Sequence, residues 1–356
     1  MNTIEKLLAE RNLPSLKSRE EMLDLLLTKE YGVLPPKPDK TEWTVEPNAL
    51  PHGFCAEFCS GNASVSRVTA KMTLGDKTFS FPFYAAIPRK EGKIPFIVSI
   101  NFHDAVPDIW MPTEEVMDNG FAVLSFCYTS VTSDNNDFTN GLAGVLYPDG
   151  TRGVHDAGKI AMWAWAAQRV LDYALTLDVL DENCCAVCGH SRLGKTALVA
   201  AATDERFTFC YSNDSGCSGA ALSRGKDGET KDRICHVFPF WFCEDYNAAP
   251  ADPMLLPLDQ HYLIASMAPR FVLVGSAEDD AWADPKSEYL SAAAASEAYT
   301  ALGLSGLTPA EEVPVHDVFL PEGRIGYHVR PGAHYFGRID WNRLMQFMNL
   351  HRGEKI

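Results

Sequence analysis

The sequence predicts an α/β chain whose core is a mostly parallel, doubly wound sheet, and three observations carry that expectation. Apolar runs at 94–102, 121–128, 184–188, 207–213 and 271–277 are separated by segments that include helix-forming runs, the alternation that parallel strands joined by crossover helices require. Two earlier runs, 64–74 and 78–87, are apolar or alternate apolar with polar residues, as an antiparallel pair does. A single serine stands between the run 184–188 and a helix-forming run in Val187-Cys188-Gly189-His190-Ser191-Arg192-Leu193-Gly194-Lys195.

Taken in order, the first fifty residues predict a helical extension over 1–50, and 51–356 a single α/β domain. Ser18 and Glu21 form a capping-box pattern before an apolar stretch at 22–27, and Leu34-Pro35-Pro36-Lys37-Pro38 stops any helix there. A helix from about 157 carries Ile160, Trp163, Ala164, Ala167, Val170, Leu171 and Ala174 at 3.6-residue spacing, so its tryptophans read as core. The run 195–202 reads as the helix after the serine. Further helices are expected near 258–267 and 285–302, then a strand ending at Arg330 and a last helix from near Phe336. No internal repeat is visible.

A chain of 356 residues with 46% hydrophobic content can bury one large core. Its formal net charge of -16 argues against nucleic acid or an anionic membrane surface as partner, since either repels it on approach. No run reaches the roughly 18 apolar residues of a membrane helix. Residues 1–22 place glutamates and lysines where a signal peptide needs an apolar stretch, which, for a native start, predicts a cytoplasmic protein. Ten cysteines read as buried thiols, because Cys184, Cys185 and Cys188 lie on one expected strand whose faces alternate, and neither they nor Cys55 and Cys59 have a partner pair at zinc spacing.

Ser191 sits where a strand turns sharply into a helix. Such a turn holds the hydroxyl exposed on a strained backbone and needs small neighbours behind it, here Gly189 and Gly194. The helix start points free N–H groups and partial positive charge at the same place, which suits an oxyanion forming beside the serine. An N-capping serine in an ordinary strand–helix unit has the same local pattern.

A hydroxyl becomes a nucleophile when a base takes its proton, and in α/β-hydrolases, whose antiparallel first strands this chain shares, the partners follow as acid then histidine at later strand ends. Of ten histidines, His334 lies just past the last expected strand, whereas His328 lies inside it. The acid has two places: Asp214, directly after one strand, or the loop Glu278-Asp279-Asp280 after the next. Asp284 reads as the cap of the following helix. Ser191 and Lys195, four apart, also allow a serine–lysine pair, although the known spacing for that pair is three.

Five segments, in order, resemble carbohydrate esterase family 15, whose bacterial branch holds glucuronoyl esterases and acetylxylan-esterase-like members: Gly189 to Lys195, Asn213-Asp214-Ser215-Gly216-Cys217-Ser218-Gly219-Ala220-Ala221, Leu258-Asp259-Gln260-His261 with Ala268-Pro269-Arg270, Trp282-Ala283-Asp284-Pro285, and Arg330-Pro331-Gly332-Ala333-His334. The likeness runs from about residue 94 to the C-terminus. It implies an α/β-hydrolase fold and a serine-dependent ester hydrolase that cleaves glucuronate or 4-O-methylglucuronate esters through an acyl-enzyme, with no metal or organic cofactor. It implies Ser191 as nucleophile, His334 as general base and acid, Arg192 as an oxyanion-stabilising side chain, Lys195 as a sugar contact and Trp282 as an aromatic lining the uronate pocket. Asp214 matches the acid of many members, Asp280 that of some bacterial ones, and Glu278 stands in reserve. N–H groups near Phe102 and His103 are further oxyanion donors to look for. His190 stands where fungal members have a disulfide-forming cysteine. The same machinery with a smaller acyl pocket serves an acetylxylan or acetylated-oligosaccharide deacetylase, and the fold also permits a non-catalytic carbohydrate-binding protein.

Overall fold

Two burial rhythms run through the sheet, and each follows from its residues. In the computed structural model, which describes residues 3–49 and 61–356, the strands are β1 (Lys40–Pro47), β2 (Ala63–Leu74), β3 (Lys77–Pro88), β4 (Ile94–Asn101), β5 (Ala122–Cys127), β6 (Leu180–His190), β7 (Phe209–Asn213), β8 (Phe271–Ala277), β9 (Val318–Leu320) and β10 (Ile325–Arg330). They form one sheet in the order β1-β2-β3-β5-β4-β6-β7-β8-β10-β9. β2 and β3 bury mostly alternate residues, one face to the core and one to solvent. β4, β5, β7, β8 and β10 are buried at every residue because helices cover both of their faces.

β1, β2, β3 and β5 pair antiparallel in succession, the run from β5 through β4, β6, β7 and β8 to β10 is parallel, and β9 closes the far edge antiparallel. This is the mixed but mostly parallel sheet that the sequence predicts. One apolar layer takes Trp163, Leu198 and Tyr289 from the helices Lys159–Ala174, Arg192–Thr203 and Pro285–Thr300. The opposite layer takes Val116 and Trp341 from Thr113–Asp118 and Arg338–His351. Cys184 and Cys188 face the second layer and Cys185 the first, so the three thiols do not converge on one point. Burial pushes the thiols of Cys184 and Cys188 up to about 12 and that of Cys185 to about 11. Cys55 and Cys59 lie outside the described residues.

Several expected elements shift in extent. Lys159–Ala174 is buried almost all round rather than along one stripe, with Lys159, Gln168 and Arg169 also covered. The helix after the serine begins at Arg192, and the one expected at 258–267 shortens to His261–Ala265. The capping box is present: Ser18 Oγ accepts from Glu21 N–H at 3.2 Å and the Glu21 carboxylate accepts from Ser18 N–H at 3.1 Å. The expected helical extension over 1–50 also holds β1, and Met22, Leu26 and Tyr31 join the main core. Its boundary at 50 and 51 falls outside the described residues. Among the described residues no helix is long and apolar enough to cross a membrane.

Candidate active site

Crossover connections bring the carboxyl ends of the parallel strands to one edge of the sheet, and the site is assembled there. β6 ends at His190, Ser191 adopts φ 57° and ψ -126°, and the next helix begins at Arg192. A positive φ at a non-glycine residue costs about 1–3 kcal/mol, and here neighbouring contacts hold it. Ser191 N–H donates to Asn213 O at 2.9 Å. A Cβ at Gly189 would stand 2.1 Å from Leu193 O, and one at Gly194 3.0 Å from Ser215 Cβ, so both glycines answer to close packing behind the turn. The first N–H groups of the helix lack intrahelical partners and point toward the serine end.

His334 lies on the loop after β10, and its Nδ1 is 2.6 Å from Asp280 Oδ2 on the loop after β8. Asp280 Oδ1 accepts from Ala283 N–H at 3.1 Å. Burial works to raise the Asp280 pKa, but the hydrogen bond and charge of His334 outweigh it and hold the carboxyl below its ordinary range. Asp214, after β7, is differently engaged. Its Oδ2 accepts from Arg330 Nη2 at 3.2 Å, and its buried Oδ1 has no hydrogen-bond partner. Burial, with the charge of Glu288 second, pushes its pKa well up. One oxygen each of Asp214 and Asp280 and a ring nitrogen of His334 nonetheless lie within 4.8 Å of one another. Glu278 turns away: it pairs with His316 and accepts from Asp317 N–H at 3.1 Å. Asp284 caps its helix, accepting from Ser287 N–H at 3.1 Å.

Ser191 and His334 line the same cavity of about 360 Å³, together with Arg192, Lys195, Asp214, Asp280 and Trp282. The expected nucleophile, base, both leading acids, the cation and the two sugar contacts are therefore brought to one place, whereas Glu278 is not. Glu229, Phe238 and Trp241 line it as well, and the sequence reading missed all three. They fall in a long irregular stretch between β7 and β8, where no periodicity marks a single residue.

The cation beside the serine is tightly housed. Arg192 pairs with Asp134 and lies 4.8 Å from the Trp241 ring centroid and 5.5 Å from that of Phe238, a cation–π arrangement. Asp134 also accepts from Trp241 Nε1–H at 2.7 Å and from the Tyr128 hydroxyl at 2.9 Å. Asp134 went unnoticed too, although its loop follows a parallel strand at the functional edge, a signal that was available. Lys195 is buried and donates to Ser215 O and, at 2.6 Å, to Cys217 O. Burial lowers its pKa while Glu229 opposes that shift. Its donors thus go to carbonyls, and of the two candidate bases His334 is the one paired with a carboxylate. Trp282 stands 54% exposed at the mouth.

His190 packs against the base. Its ring centroid is 4.4 Å from that of His334, and its Nδ1 lies 2.7 Å from Asn213 Oδ1. Burial, then the neighbouring His334, drives its pKa down to about 3, so it is a neutral wall at ordinary pH. The N–H groups of Phe102 and His103 are not free for an oxyanion: both donate to Asn101 Oδ1, at 2.7 and 3.3 Å. That expectation is corrected, because the side chain ending β4 reaches them first.

The family model for fungal glucuronyl esterases matches residues 70–303. A carbohydrate esterase from an unknown prokaryotic organism is 41% identical over 241 residues, covering 67% of this chain and 55% of its own length. A 4-O-methyl-glucuronoyl methylesterase of Hypocrea jecorina is 29% identical over 307 residues, or 83% of this chain and 60% of its own. The chain thus spans little more than half the length of these curated relatives. The solved structure of a glucuronoyl esterase from Solibacter usitatus superposes with a TM-score of 0.82 at 29% identity, covering 95% of this chain and 93% of that one. The shared architecture is the α/β-hydrolase fold.

Proposed function

This chain belongs to the glucuronoyl esterase family, and from that membership and the geometry of its site we propose that it hydrolyses glucuronate or 4-O-methylglucuronate esters with Ser191 as nucleophile. The observation that carries the reading is the Asp280–His334 pair opening onto the cavity that holds Ser191. With Asp280 ionised, His334 Nδ1 keeps its proton and Nε2 is free to accept another. Ser191 Oγ attacks the ester carbonyl carbon while its proton passes to Nε2. The oxyanion is steadied by Arg192 and the helix-start N–H groups, in a setting walled by Phe238 and Trp241. The tetrahedral intermediate collapses, the C–O bond to the alcohol breaks, and His334 returns the proton to the leaving oxygen. Water then gives a proton to Nε2 and attacks the acyl-enzyme, and Ser191 leaves with that proton as the uronic acid departs.

Lys195, Glu229 and Trp282 offer a cation, an acceptor and an aromatic face to the sugar, which supports a uronate over a bare acetyl group. Steady-state turnover of benzyl glucuronate beside an acetylated xyloside tests the choice. The expected result is preference for the glucuronate ester, lost in Ser191→Ala with the fold intact. Preference for the acetyl ester favours the deacetylase, and binding of glucuronate without turnover of either ester favours a non-catalytic protein. Substantial turnover by Ser191→Ala removes the serine from the mechanism.

A further inference from the structure

The loop that carries His334 has no secondary structure of its own between β10 and the last helix, yet the imidazole has to be held to a fraction of an ångström. One side chain supplies the hold. Arg330, the last residue of β10 and only 5% exposed, donates from Nη1 to Pro331 O at 3.2 Å and Ala333 O at 3.1 Å, and from Nη2 to Tyr335 O. The carbonyls on either side of His334 therefore converge on one guanidinium. The same group reaches outward: Nη2 donates to Asp214 Oδ2 at 3.2 Å, and Nε lies 2.9 Å from both oxygens of Asp340. Asp340 in turn accepts from Gly337 N–H at 2.9 Å and Asn213 Nδ2 at 3.0 Å, which fixes the far end of the loop and the residue bonded to Ser191 N–H.

We propose that Arg330 is the positioning residue of this active site: its buried guanidinium folds the loop that presents His334 and holds Asp214 apart from the Asp280–His334 pair. The proposal rests on the esterase reading. It calls for arginine in particular. A planar fork with five donors can serve two carboxylates and three carbonyls at once, whereas a lysine ammonium presents three donors from a single point. Arg330 does not reach the ester, so its loss acts through His334 on the chemical step and leaves sugar binding, on the Lys195 and Trp282 side, unchanged.

The test uses the full chain with benzyl glucuronate as substrate. Arg330→Lys and Arg330→Ala are each expected to lower kcat by about 10²-fold, the scale of a misplaced catalytic group, with KM unchanged. Methylguanidinium in the assay is expected to restore turnover to Arg330→Ala and not to Arg330→Lys, whose ammonium blocks the vacated space. Thermal melts fix the fraction folded at the assay temperature. A folded Arg330→Lys with the kcat of the parent overturns the proposal, as does a kcat loss in Arg330→Ala that only follows its unfolded fraction. Where Arg330→Ala does not fold, Arg330→Lys decides alone. Ser191→Ala runs in parallel: turnover there overturns the esterase reading and this proposal with it, whereas an inactive Ser191→Ala beside fully active Arg330 variants overturns this proposal only.

Discussion

Asp280 and Asp214 are both buried carboxylates at strand ends beside the His334 ring, and only their partners differ. Asp280 bonds the imidazole, whereas Asp214 bonds Arg330. Asp280→Asn should therefore lower kcat by the order of 10⁴-fold, the effect of losing the orienting carboxylate in a triad. Asp214→Asn should leave most of the turnover, because the His334 Nδ1 bond survives it. Steady-state rates on benzyl glucuronate decide, and the opposite ranking would transfer the orienting role to Asp214. Nothing local separates the two residues in the sequence, since each follows an apolar run and precedes small or polar neighbours. Ser191 and His334 were legible because one is flanked by glycines at a strand-to-helix switch and the other follows the last strand.

At the scale of elements, the elbow and the helix Pro285–Thr300 make separate predictions. Gly189→Ala drives a Cβ to 2.1 Å from Leu193 O, a backbone atom inside a helix that packs against β6. Overpacking of this kind costs about 1–3 kcal/mol, so the urea midpoint should fall by at least that equivalent, and an unchanged midpoint would show that the turn relaxes freely. Glu288 accepts from Gly216 N–H at 2.9 Å and from Ser276 Oγ at 2.6 Å, and burial raises its pKa to about 7. A raised carboxyl binds its proton more tightly folded than unfolded, so its contribution is greatest at low pH and is lost as pH rises from the ordinary carboxylate range through about 7. Glu288→Gln should consequently be more stable relative to the parent at pH 8 than at pH 5, measured by urea unfolding at both. Equal differences at the two pH values would remove this titration. Most strands were legible from apolar runs, whereas β1 was not: its Lys40-Thr41-Glu42-Trp43-Thr44-Val45-Glu46 is mostly polar and exposed because it lies at the sheet edge.

For the molecule as a whole, charge and connectivity matter more than any single contact. A net charge of -16 repels a polyanion. For oligosaccharide glucuronate esters that also carry ionised uronates, kcat/KM should rise as salt shortens the Debye length from about 10 Å at 0.1 M toward 3 Å at 1 M. Neutral benzyl glucuronate should show no such rise, and identical salt profiles would sink the idea. The N-terminal arm belongs to the same body: Tyr31 OH donates to Ser218 O at 3.0 Å, and Glu30 accepts from Gln260 Nε2 at 2.9 Å. By itself the sequence determined the α/β alternation, the elbow at Ser191 and the strand-end address of His334, because these depend on residues within a turn or a strand of one another. Which carboxylate meets the imidazole, how Arg192 is caged and which acid Arg330 reaches beyond its own loop were decided only in three dimensions. Those contacts join residues 54, 58 and 116 positions apart, and their partners are chosen by sheet order and packing, which no local pattern records.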